Sequence, residues 1–307
     1  MQSSASVAPS SLHRRRRLLL GLALCASLLF GWQREPAAQQ PRAAAPARIV
    51  SLVPATTEML FAMGAGSRVI GVGSYDRFPP EVDRLPRLGG LLDPNIEQLI
   101  ALRPDLVIVY DTQAELRRQL ERAHIPMWNY STTTLTDVAR TIRALGDRIG
   151  MPEQGAATAA RIESQLQAIR TRVAGRPRPR TLLIFGREAG ALRGINASGG
   201  YGFLHDLLEL AGGADVLADM KRAAVQMSSE MVLARSPEVI IELHYGETWA
   251  PARIETERRV WLTLPSLPAV RANRIHLLSG DEFVVPGPRV TLAAERLAQV
   301  LHPEAAR

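Results

Sequence analysis

One segment of this chain occurs twice, 133 residues apart, and constrains the fold more than any other feature. The first copy is NIEQLIALRPDLVIV (95–109) and the second is SSEMVLARSPEVIIE (228–242). Each has a glutamate near its start, then an apolar pair, an alanine, a proline and an acid that precedes an apolar run. This pattern predicts a short helix that ends before a proline, followed by a buried strand. Its recurrence at nearly half the chain length predicts two related lobes.

Strand and helix patterns alternate through the rest of the chain from Arg48. RIVSL, VIGV and PMWNY predict strands, and TTEMLFAMGAG and LTDVARTIRALGDRIG predict helices. One long helical pattern, residues 152–174, lies between the halves. The predicted fold is α/β, with two lobes on mostly parallel sheets, one long backbone helix joining them and a ligand cleft between them. The predicted boundaries are 48–150 for the N-terminal lobe, 151–178 for the linking helix and 179–303 for the C-terminal lobe.

Residues 1–47 have the three zones of a secretory signal. Four arginines precede the apolar run LLLGLALCASLLFGW, and an Ala/Pro/Gln-rich tail follows. We therefore predict export to the periplasm. The apolar run is short for a membrane span, which needs about 20 residues, but an uncleaved anchor that tethers the protein to the membrane is the alternative. Cys25, the only cysteine, lies inside this run, so the remainder has no disulfide and no thiolate site.

Charge and motifs exclude several function classes. Residues 1–47 account for +5 of the formal charge of +7, which leaves too little positive charge elsewhere for a nucleic-acid surface. The chain lacks the nucleophile-elbow, P-loop and dinucleotide-binding motifs. Its six histidines are scattered, which disfavours a metal-ion receptor and predicts no metal site. A two-lobed oxidoreductase of the nitrogenase-like group needs cysteine ligands that are missing here, so we predict a binding protein and not an enzyme.

The loops after the predicted strands carry candidates for the cleft, because ligands bind outside the carboxyl ends of strands in open α/β sheets. The aromatic residues of the loop YDRFPP can face a flat ligand or tuck under the loop. PATT (54–57) can cap its helix or face a ligand, and SGGYG can approach a ligand or form a turn. We assign Trp128 and Trp261 to the cores. The candidates that follow from the residues alone are Pro54, Ala55, Thr56, Tyr75, Phe78, Tyr110, Phe185, Arg187, Tyr201, Tyr245, Trp249 and Phe283.

Taken in order, the motifs resemble those of the periplasmic solute-binding proteins of ABC importers. The resemblance rests on RIVSLVPATTEMLFAMGAGSRVIGV, YDRFPP, NIEQLIALRPDLVIVY, the long helix, SSEMVLARSPEVII and PRVTLAAERLAQVL, and it covers Arg48 to about His302. It is closest to the class with a single backbone helix, which binds cobalamin, siderophores or haem, and within that class to the cobalamin binders. It implies a protein without a cofactor that captures cobalamin as a transported ligand and delivers it to a permease.

The resemblance also implies roles for particular residues. Glu97 and Glu230 match surface glutamates, one per lobe, that dock on arginines of the transmembrane permease. The helix dipole alone would also favour an acid at each of these positions. The late-loop acid Asp281 matches a cleft position. Further matches in the aromatic-lined cleft are Tyr75, Phe78, Tyr110 and Phe185.

Two positions depart from the pattern that the resemblance predicts. Leu91 and Ala224 stand where it predicts tryptophan, which removes stacking surface from the expected cleft. Haem or a ferric siderophore therefore stays open as the alternative ligand. Tyrosine and histidine can ligate haem iron, and Tyr110, His244 and Tyr245 lie at predicted strand ends. Arg187 can meet an anionic siderophore.

Overall fold

The computed structural model describes residues 45–246 and 249–305, and the predicted signal segment lies almost wholly outside these ranges. From Ala45 onward the chain forms one compact unit. The strands of the described ranges are β1 (Ile49–Ser51), β2 (Val69–Val72), β3 (Leu106–Tyr110), β4 (Met127–Tyr130), β5 (Arg180–Gly186), β6 (Ile195–Gly199), β7 (Ala214–Asp215), β8 (Arg222–Met227), β9 (Val239–His244) and β10 (Ile275–Ser279). The α-helices are α1 (Pro54–Ala62), α2 (Ile96–Ala101), α3 (Ala114–Arg122), α4 (Leu135–Arg148), α5 (Pro152–Val173), α6 (Phe203–Leu210), α7 (Ser229–Arg235), α8 (Pro251–Val260), α9 (Pro268–Arg271) and α10 (Val290–Leu301).

The first sheet is parallel throughout, with the strand order β2–β1–β3–β4. All of β1 is buried, and so are the first four residues of β3. Burial on both faces explains why these strands are continuous apolar runs instead of alternating patterns. Because the strands are parallel, the loops after β1, β2 and β3 emerge at the same edge of the sheet.

The second sheet has the order β10–β9–β5–β6–β8, and β7 also pairs with β5. Strands β10, β9 and β5 are parallel to one another, whereas β6 pairs antiparallel with β5, and β8 pairs antiparallel with β6. The sequence patterns do not predict β6 and β8, because INASG and RAAVQM contain few β-branched or aromatic residues. The predicted fold class, two α/β lobes with mostly parallel sheets, is confirmed.

The repeated segment adopts the same structure in both lobes. Helices α2 and α7 begin at the N-caps Asn95 and Ser228, whose side chains each accept a hydrogen bond from the backbone N–H three residues later. Both helices are followed by a residue with positive φ, Arg103 at 46° and Ser236 at 48°. The repeated proline comes next and prevents the helix from continuing. The chain then enters the central strand, β3 or β9.

The acid after the repeated proline also has the same role in both lobes. Asp105 Oδ1 accepts a hydrogen bond from the backbone N–H of Arg48 at 2.9 Å, and Glu238 Oε2 accepts one from the backbone N–H of Arg180 at 3.0 Å. Each arginine side chain in turn donates to a carbonyl at the end of the repeated helix. The repeat is therefore a unit that joins a helix end to the first strand of its lobe.

The long helix α5 confirms the predicted backbone helix. Its 22 residues span about 33 Å at 1.5 Å per residue. It packs closely on α4, since a Cβ atom added to Gly155 would lie 3.1 Å from the Cα atom of Gly146. Buried residues of α5 and of both sheets belong to one hydrophobic cluster. The lobe boundaries drawn above remain a prediction.

In the ranges that the structure describes, no helix combines the length and apolar character needed to cross a membrane.

Trp261 is fully buried, and Trp128 packs against the core while half-buried, as predicted for both.

Candidate functional site

The carboxyl ends of the central strands carry one cavity in each lobe. The cavity of the first lobe, here called the N-cavity, has a volume of about 300 Å³ and lies among the loops that follow β1, β2 and β3. The cavity of the second lobe, the C-cavity, has about 240 Å³ and lies where β5 and β9 end. Both occupy the edges at which the sequence predicts the cleft.

A hydrogen bond joins the loops that form the two cavities. Arg77, in the loop of the N-cavity, donates from Nη1 to the carbonyl of Gly246 at 2.7 Å. Gly246 follows the C-cavity residue Tyr245, and its N–H donates to Asp281 Oδ1 at 2.8 Å. Asp281 thus positions the loop of the C-cavity, and a ligand that reaches across this bridge has protein on both sides.

The four exposed aromatic side chains of the described ranges are all predicted site residues. Tyr75 is 70% exposed, Tyr245 58%, Tyr201 49% and Phe78 41%. Aromatic side chains left in water mark binding surfaces, because their burial by a partner is favourable. Tyr75 lines the N-cavity and Tyr245 lines the C-cavity. Phe78 has one face covered by the Arg289 guanidinium, 4.4 Å from the ring centroid.

Tyr201 is not brought together with the C-cavity. It follows β6, which runs antiparallel to β5 and so leads away from the edge where Phe185 lies. The neighbouring Gly202 instead approaches the first lobe, where a Cβ atom on it would lie 3.3 Å from the carbonyl oxygen of Thr133. Ala224 is exposed on the edge strand β8. Neither residue lines the N-cavity or the C-cavity.

Tyr110 and Leu91 line the N-cavity together. Gln113 links them, because its Oε1 accepts from the Tyr110 N–H and its Nε2 donates to the Leu91 carbonyl, both at 3.0 Å. The Tyr110 ring packs edge-on against Tyr130 with centroids 5.8 Å apart. Burial, with a smaller contribution from Asp76, raises the pKa of Tyr110 to about 12, so its phenol stays protonated at neutral pH.

The C-cavity is built around Phe185, His244 and Trp249. Trp249 lies between His244, with ring centroids 3.7 Å apart, and the guanidinium of Arg253, 4.0 Å from its ring. His244 Nε2 lies 3.3 Å from Glu242 Oε2. Burial opposes ionisation of Glu242, but the neighbouring His244 and the Arg187 guanidinium, which donates a hydrogen bond to it, hold its pKa below the ordinary value. Within the described residues, Glu242 Oε2 and His244 Nε2 are nevertheless both buried without a hydrogen-bond partner.

Arg187 does not present a free cation to the cleft, contrary to the prediction. Its side chain is 3% exposed, and its Nε donates to Glu242 Oε1 at 2.9 Å. Its Nη1 lies 2.9 Å from Glu257 Oε2. Two buried carboxylates neutralise one guanidinium here, which makes Arg187 a structural residue at the base of the C-cavity.

Three further predicted ligand contacts are contradicted by burial. Phe283 is 0% exposed, and the Arg296 guanidinium lies 4.8 Å from its ring. Ala55 and Thr56 are buried in the first turn of α1. The Thr56 hydroxyl donates to the Val53 carbonyl at 2.9 Å, and the helix has no side-chain cap. Of this turn only Pro54 reaches the N-cavity.

Asp76, the acid of the motif YDRFPP, is a cavity residue that the sequence patterns do not single out. Asp76 lines the N-cavity and is 1% exposed, and neither of its carboxyl oxygens has a hydrogen-bond partner among the described residues. Gly73 makes room for it, since a Cβ atom there would lie 2.9 Å from Asp76 Oδ2. Burial raises the pKa of Asp76 to about 7. The sequence feature that could have identified Asp76 is its position between two aromatic candidates, in a loop that follows a strand.

The repeated glutamates occupy equivalent surface positions. Glu97 and Glu230 are each the second residue of their helix and are exposed. Three residues on, Ile100 and Leu233 are 44% and 38% exposed. Residues three apart share one helix face, so each lobe presents a carboxylate beside an aliphatic side chain. A hydrogen bond from Ser228 holds the pKa of Glu230 below its ordinary value.

No group of three or more His, Cys, Asp or Glu side chains in the described ranges is arranged to hold a metal ion.

Comparison with known proteins gives one family. The family model that matches is described as periplasmic binding protein, and it covers residues 49–280 of this chain. The vitamin B12-binding protein of Salmonella typhimurium is 32% identical over 260 residues, covering 84% of this chain and 91% of that protein. The crystal structure of the periplasmic vitamin B12-binding protein BtuF of Vibrio cholerae has a TM-score of 0.72 at 26% identity, covering 86% and 99%. The periplasmic heme-binding protein RhuT from Roseiflexus sp. RS-1 has a TM-score of 0.71 at 27% identity, covering 85% and 99%.

Proposed function

This chain belongs to the periplasmic binding protein family, and from that premise we propose that it captures cobalamin and delivers it to the permease of an ABC importer. The observation that carries the proposal is the pair of cavities at the strand ends, each with an exposed tyrosine. A corrin ring has two broad faces and needs apolar surface on both sides. The similarity to vitamin B12-binding proteins supports cobalamin as the ligand.

The proposed ligand contacts come from both lobes. Burial removes Ala55, Thr56, Arg187 and Phe283 from the predicted set, and Asp281 acts by positioning Gly246. Trp249 offers its edge, because His244 and Arg253 cover its faces. Tyr201 lines neither cavity. The direct contacts that we propose are Pro54, Tyr75, Phe78, Leu91, Tyr110, Phe185, Tyr245 and Trp249.

Haem is the alternative ligand, and the similarity to a heme-binding protein favours it. Two observations weigh against it. Tyr110 keeps its proton strongly, and the Nε2 of His244 lies beside the Glu242 carboxylate, so neither side chain is poised to ligate iron. A siderophore is less favoured, because Arg187 is paired with two carboxylates.

Titration of the purified protein with cyanocobalamin, haemin and a ferric hydroxamate separates these ligands. We expect a dissociation constant of about 1 μM or below for cyanocobalamin alone, measured by calorimetry and absorbance. A haemin Soret shift that is lost in Tyr110→Phe or His244→Ala would replace cobalamin with haem in the proposal. Asp147→Ala, an exposed residue of α4, is the control variant.

We also propose that Glu97 and Glu230 dock the protein on its permease by pairing with arginines of that partner. Carboxylate–guanidinium pairs are directional, so two of them at equivalent positions fix the orientation of docking. The exposed Ile100 and Leu233 support this, because burial of an aliphatic side chain beside each ion pair stabilises the contact. The partner surface should then carry paired arginines with an apolar spot beside each.

The proposal places the protein in the periplasm, exported by residues 1–47, with an uncleaved anchor as the alternative to a cleaved signal. It assigns no reaction to the protein. The family is one of binding proteins, and the polar groups Arg187, Glu242 and Glu257 of the C-cavity are held in ion pairs with one another.

A further inference from the structure

Asp76 combines two properties that rarely occur together in a folded protein. Its side chain is 1% exposed, and both carboxyl oxygens lack a hydrogen-bond partner in the part of the chain that the structure describes. Leaving a buried polar group unpaired is costly, so such groups are expected to have a partner in the working state. Asp76 lines the N-cavity beside Tyr75 and Tyr110, which places this unpaired group at the proposed ligand site.

The Thr57 hydroxyl and the Gly73 N–H lie close enough to Asp76 to lower its pKa, but no described group makes a hydrogen bond of normal geometry to its carboxyl oxygens. On α1, the Thr57 hydroxyl donates to Ser51 Oγ at 2.8 Å, and Glu58 is bound by Arg289. From the loop before α2, Arg87 donates to the backbone carbonyl of Asp76 and not to its carboxyl group.

At the end of β3, Tyr110 lies close enough for the charge of Asp76 to raise the tyrosine's pKa. The nearest backbone contribution comes from Gly73 on the loop after β2. Because Asp76 lines the N-cavity, a bound ligand is a candidate for the hydrogen-bond partner that the described residues do not provide.

The form of Asp76 decides which ligand group fits it. Burial outweighs the charge of the nearby Arg87 and favours the neutral carboxylic acid, which has one O–H donor and one carbonyl acceptor. A primary carboxamide has an N–H donor and a carbonyl acceptor in the matching arrangement, so the two groups satisfy each other through two hydrogen bonds. A carboxylate in the same place cannot donate, and it would repel Asp76 once Asp76 ionised.

We propose that Asp76 is a specificity-determining residue whose neutral carboxyl group pairs with a primary carboxamide on the rim of the ligand. The inference rests on the proposed function, because cobalamin carries carboxamide side chains around its ring whereas haem carries carboxylates. Gly73 is the second element of this subsite, since any larger residue there would push into the Asp76 carboxyl group.

Calorimetric titration with cyanocobalamin at pH 6 tests the subsite. Asp76→Ala should weaken binding about tenfold or more, as expected for the loss of two buried hydrogen bonds. Asp76→Asn should restore the affinity to within about threefold of wild type, because the side-chain amide also offers one donor and one acceptor towards a carboxamide. Asp147→Ala, which removes an exposed carboxylate from α4, is the matched control and should leave the affinity unchanged.

The pH profile gives a readout that a purely structural role would not produce. Wild-type affinity should be highest below pH 7 and fall above it, because the ligand binds the neutral acid. The affinity of Asp76→Asn should stay constant from pH 5.5 to 8.5. This window extends about 1.5 units on either side of the Asp76 pKa. Glu58 also has a raised pKa through burial, so the flat profile of Asp76→Asn is what assigns the effect to Asp76.

Two sets of outcomes would overturn the inference, and they differ from failure of the proposed function. If wild type binds cyanocobalamin but Asp76→Ala binds it equally well, Asp76 has no role in recognition. Affinity that rises with pH would show that the ionised form binds, which contradicts the pairing. If wild type does not bind cyanocobalamin at all, the proposed function fails, and with it this inference.

Discussion

The residues of the cleft differ in how their buried charges are balanced. Glu242 and Glu257 both lie within 3 Å of the single guanidinium of Arg187, which fixes the base of the C-cavity. Asp76 has no such ion pair beside the N-cavity. Each lobe keeps buried polar atoms without a hydrogen-bond partner among the described residues, the carboxyl oxygens of Asp76 in the first and Glu242 Oε2 with His244 Nε2 in the second.

This difference has a consequence for stability that Asp76→Asn can reveal. The pKa of Asp76 is about 7 in the folded protein against an ordinary value of 3.8, so the folded state holds its proton to higher pH. The free energy of unfolding is therefore highest below about pH 4 and falls as pH rises towards 7. Asp76→Asn removes this loss, and we expect it to be more stable than wild type at pH 8 by up to about 4 kcal/mol.

The measurement is urea unfolding of both proteins at pH 4 and pH 8. The stability difference should shrink to below about 1 kcal/mol at pH 4, where Asp76 is neutral in the folded state and about half ionised in the unfolded state. A difference of equal size at both pH values would show that packing, and not ionisation, is responsible. Asp147→Asn should show no pH-dependent difference, because Asp147 is exposed.

Single residues also show where sequence reasoning ends. The exposed tyrosines Tyr75 and Tyr245 could be predicted, because loops after strands are local features. Arg187 could not be assigned correctly, since its partners Glu242 and Glu257 are 55 and 70 residues away. Phe283 has an aromatic side chain in a late loop, as a cleft residue would, and only the packing of α10 shows that it is buried.

Elements were predicted best where their determinants are local. The N-cap, the positive-φ residue and the proline of the repeat all lie within a few residues, so α2, β3, α7 and β9 follow from the sequence. Strands β6 and β8 depend on pairing with distant segments of the second sheet and have weak patterns of their own. Their antiparallel addition is therefore visible only in the structure.

The repeated helices α2 and α7 give a prediction about transport. Glu97→Ala combined with Glu230→Ala should abolish uptake of cobalamin by cells, because both docking carboxylates are lost. Ligand affinity of the purified variant should not change, since both residues lie on the surface away from the two cavities. The measurements are uptake of labelled cyanocobalamin and calorimetry.

Glu153→Ala is the matched control for this variant, because Glu153 is also an exposed second residue of a helix, α5, but lies outside the repeat. It should transport normally. Normal uptake by the double variant would show that these glutamates serve only their helices, and a fall in ligand affinity would instead assign them to the ligand site.

At the scale of the whole molecule, one buried ion pair ties the lobes together. Arg289, at the start of α10, donates from Nη2 and Nε to both oxygens of Glu58 in the first lobe, at 2.6 and 3.1 Å. Its Nη1 lies 3.6 Å from Glu282 of the second lobe. Because this contact adds to the continuous core around α5, we expect little hinge motion between the lobes.

Loss of that pair should destabilise the protein. Glu58→Ala leaves a partly buried guanidinium with one remaining, more distant carboxylate, and we expect a cost of about 3 kcal/mol in urea unfolding. Glu115→Ala, which removes an exposed ion pair with Arg118 on α3, should cause no measurable loss. Equal stability of Glu58→Ala and wild type would show that the core alone holds the lobes together.

The central claim is that one cobalamin binds between the lobes, and calorimetric titration of cyanocobalamin against two proteins tests it most directly. Wild type should bind one molecule per chain with a dissociation constant of about 1 μM or below, and Tyr75→Ala/Tyr245→Ala, which removes one exposed aromatic from each cavity, should bind at least about 100-fold more weakly. The claim would be contradicted if wild type gave no binding heat, or if the double variant bound as tightly as wild type.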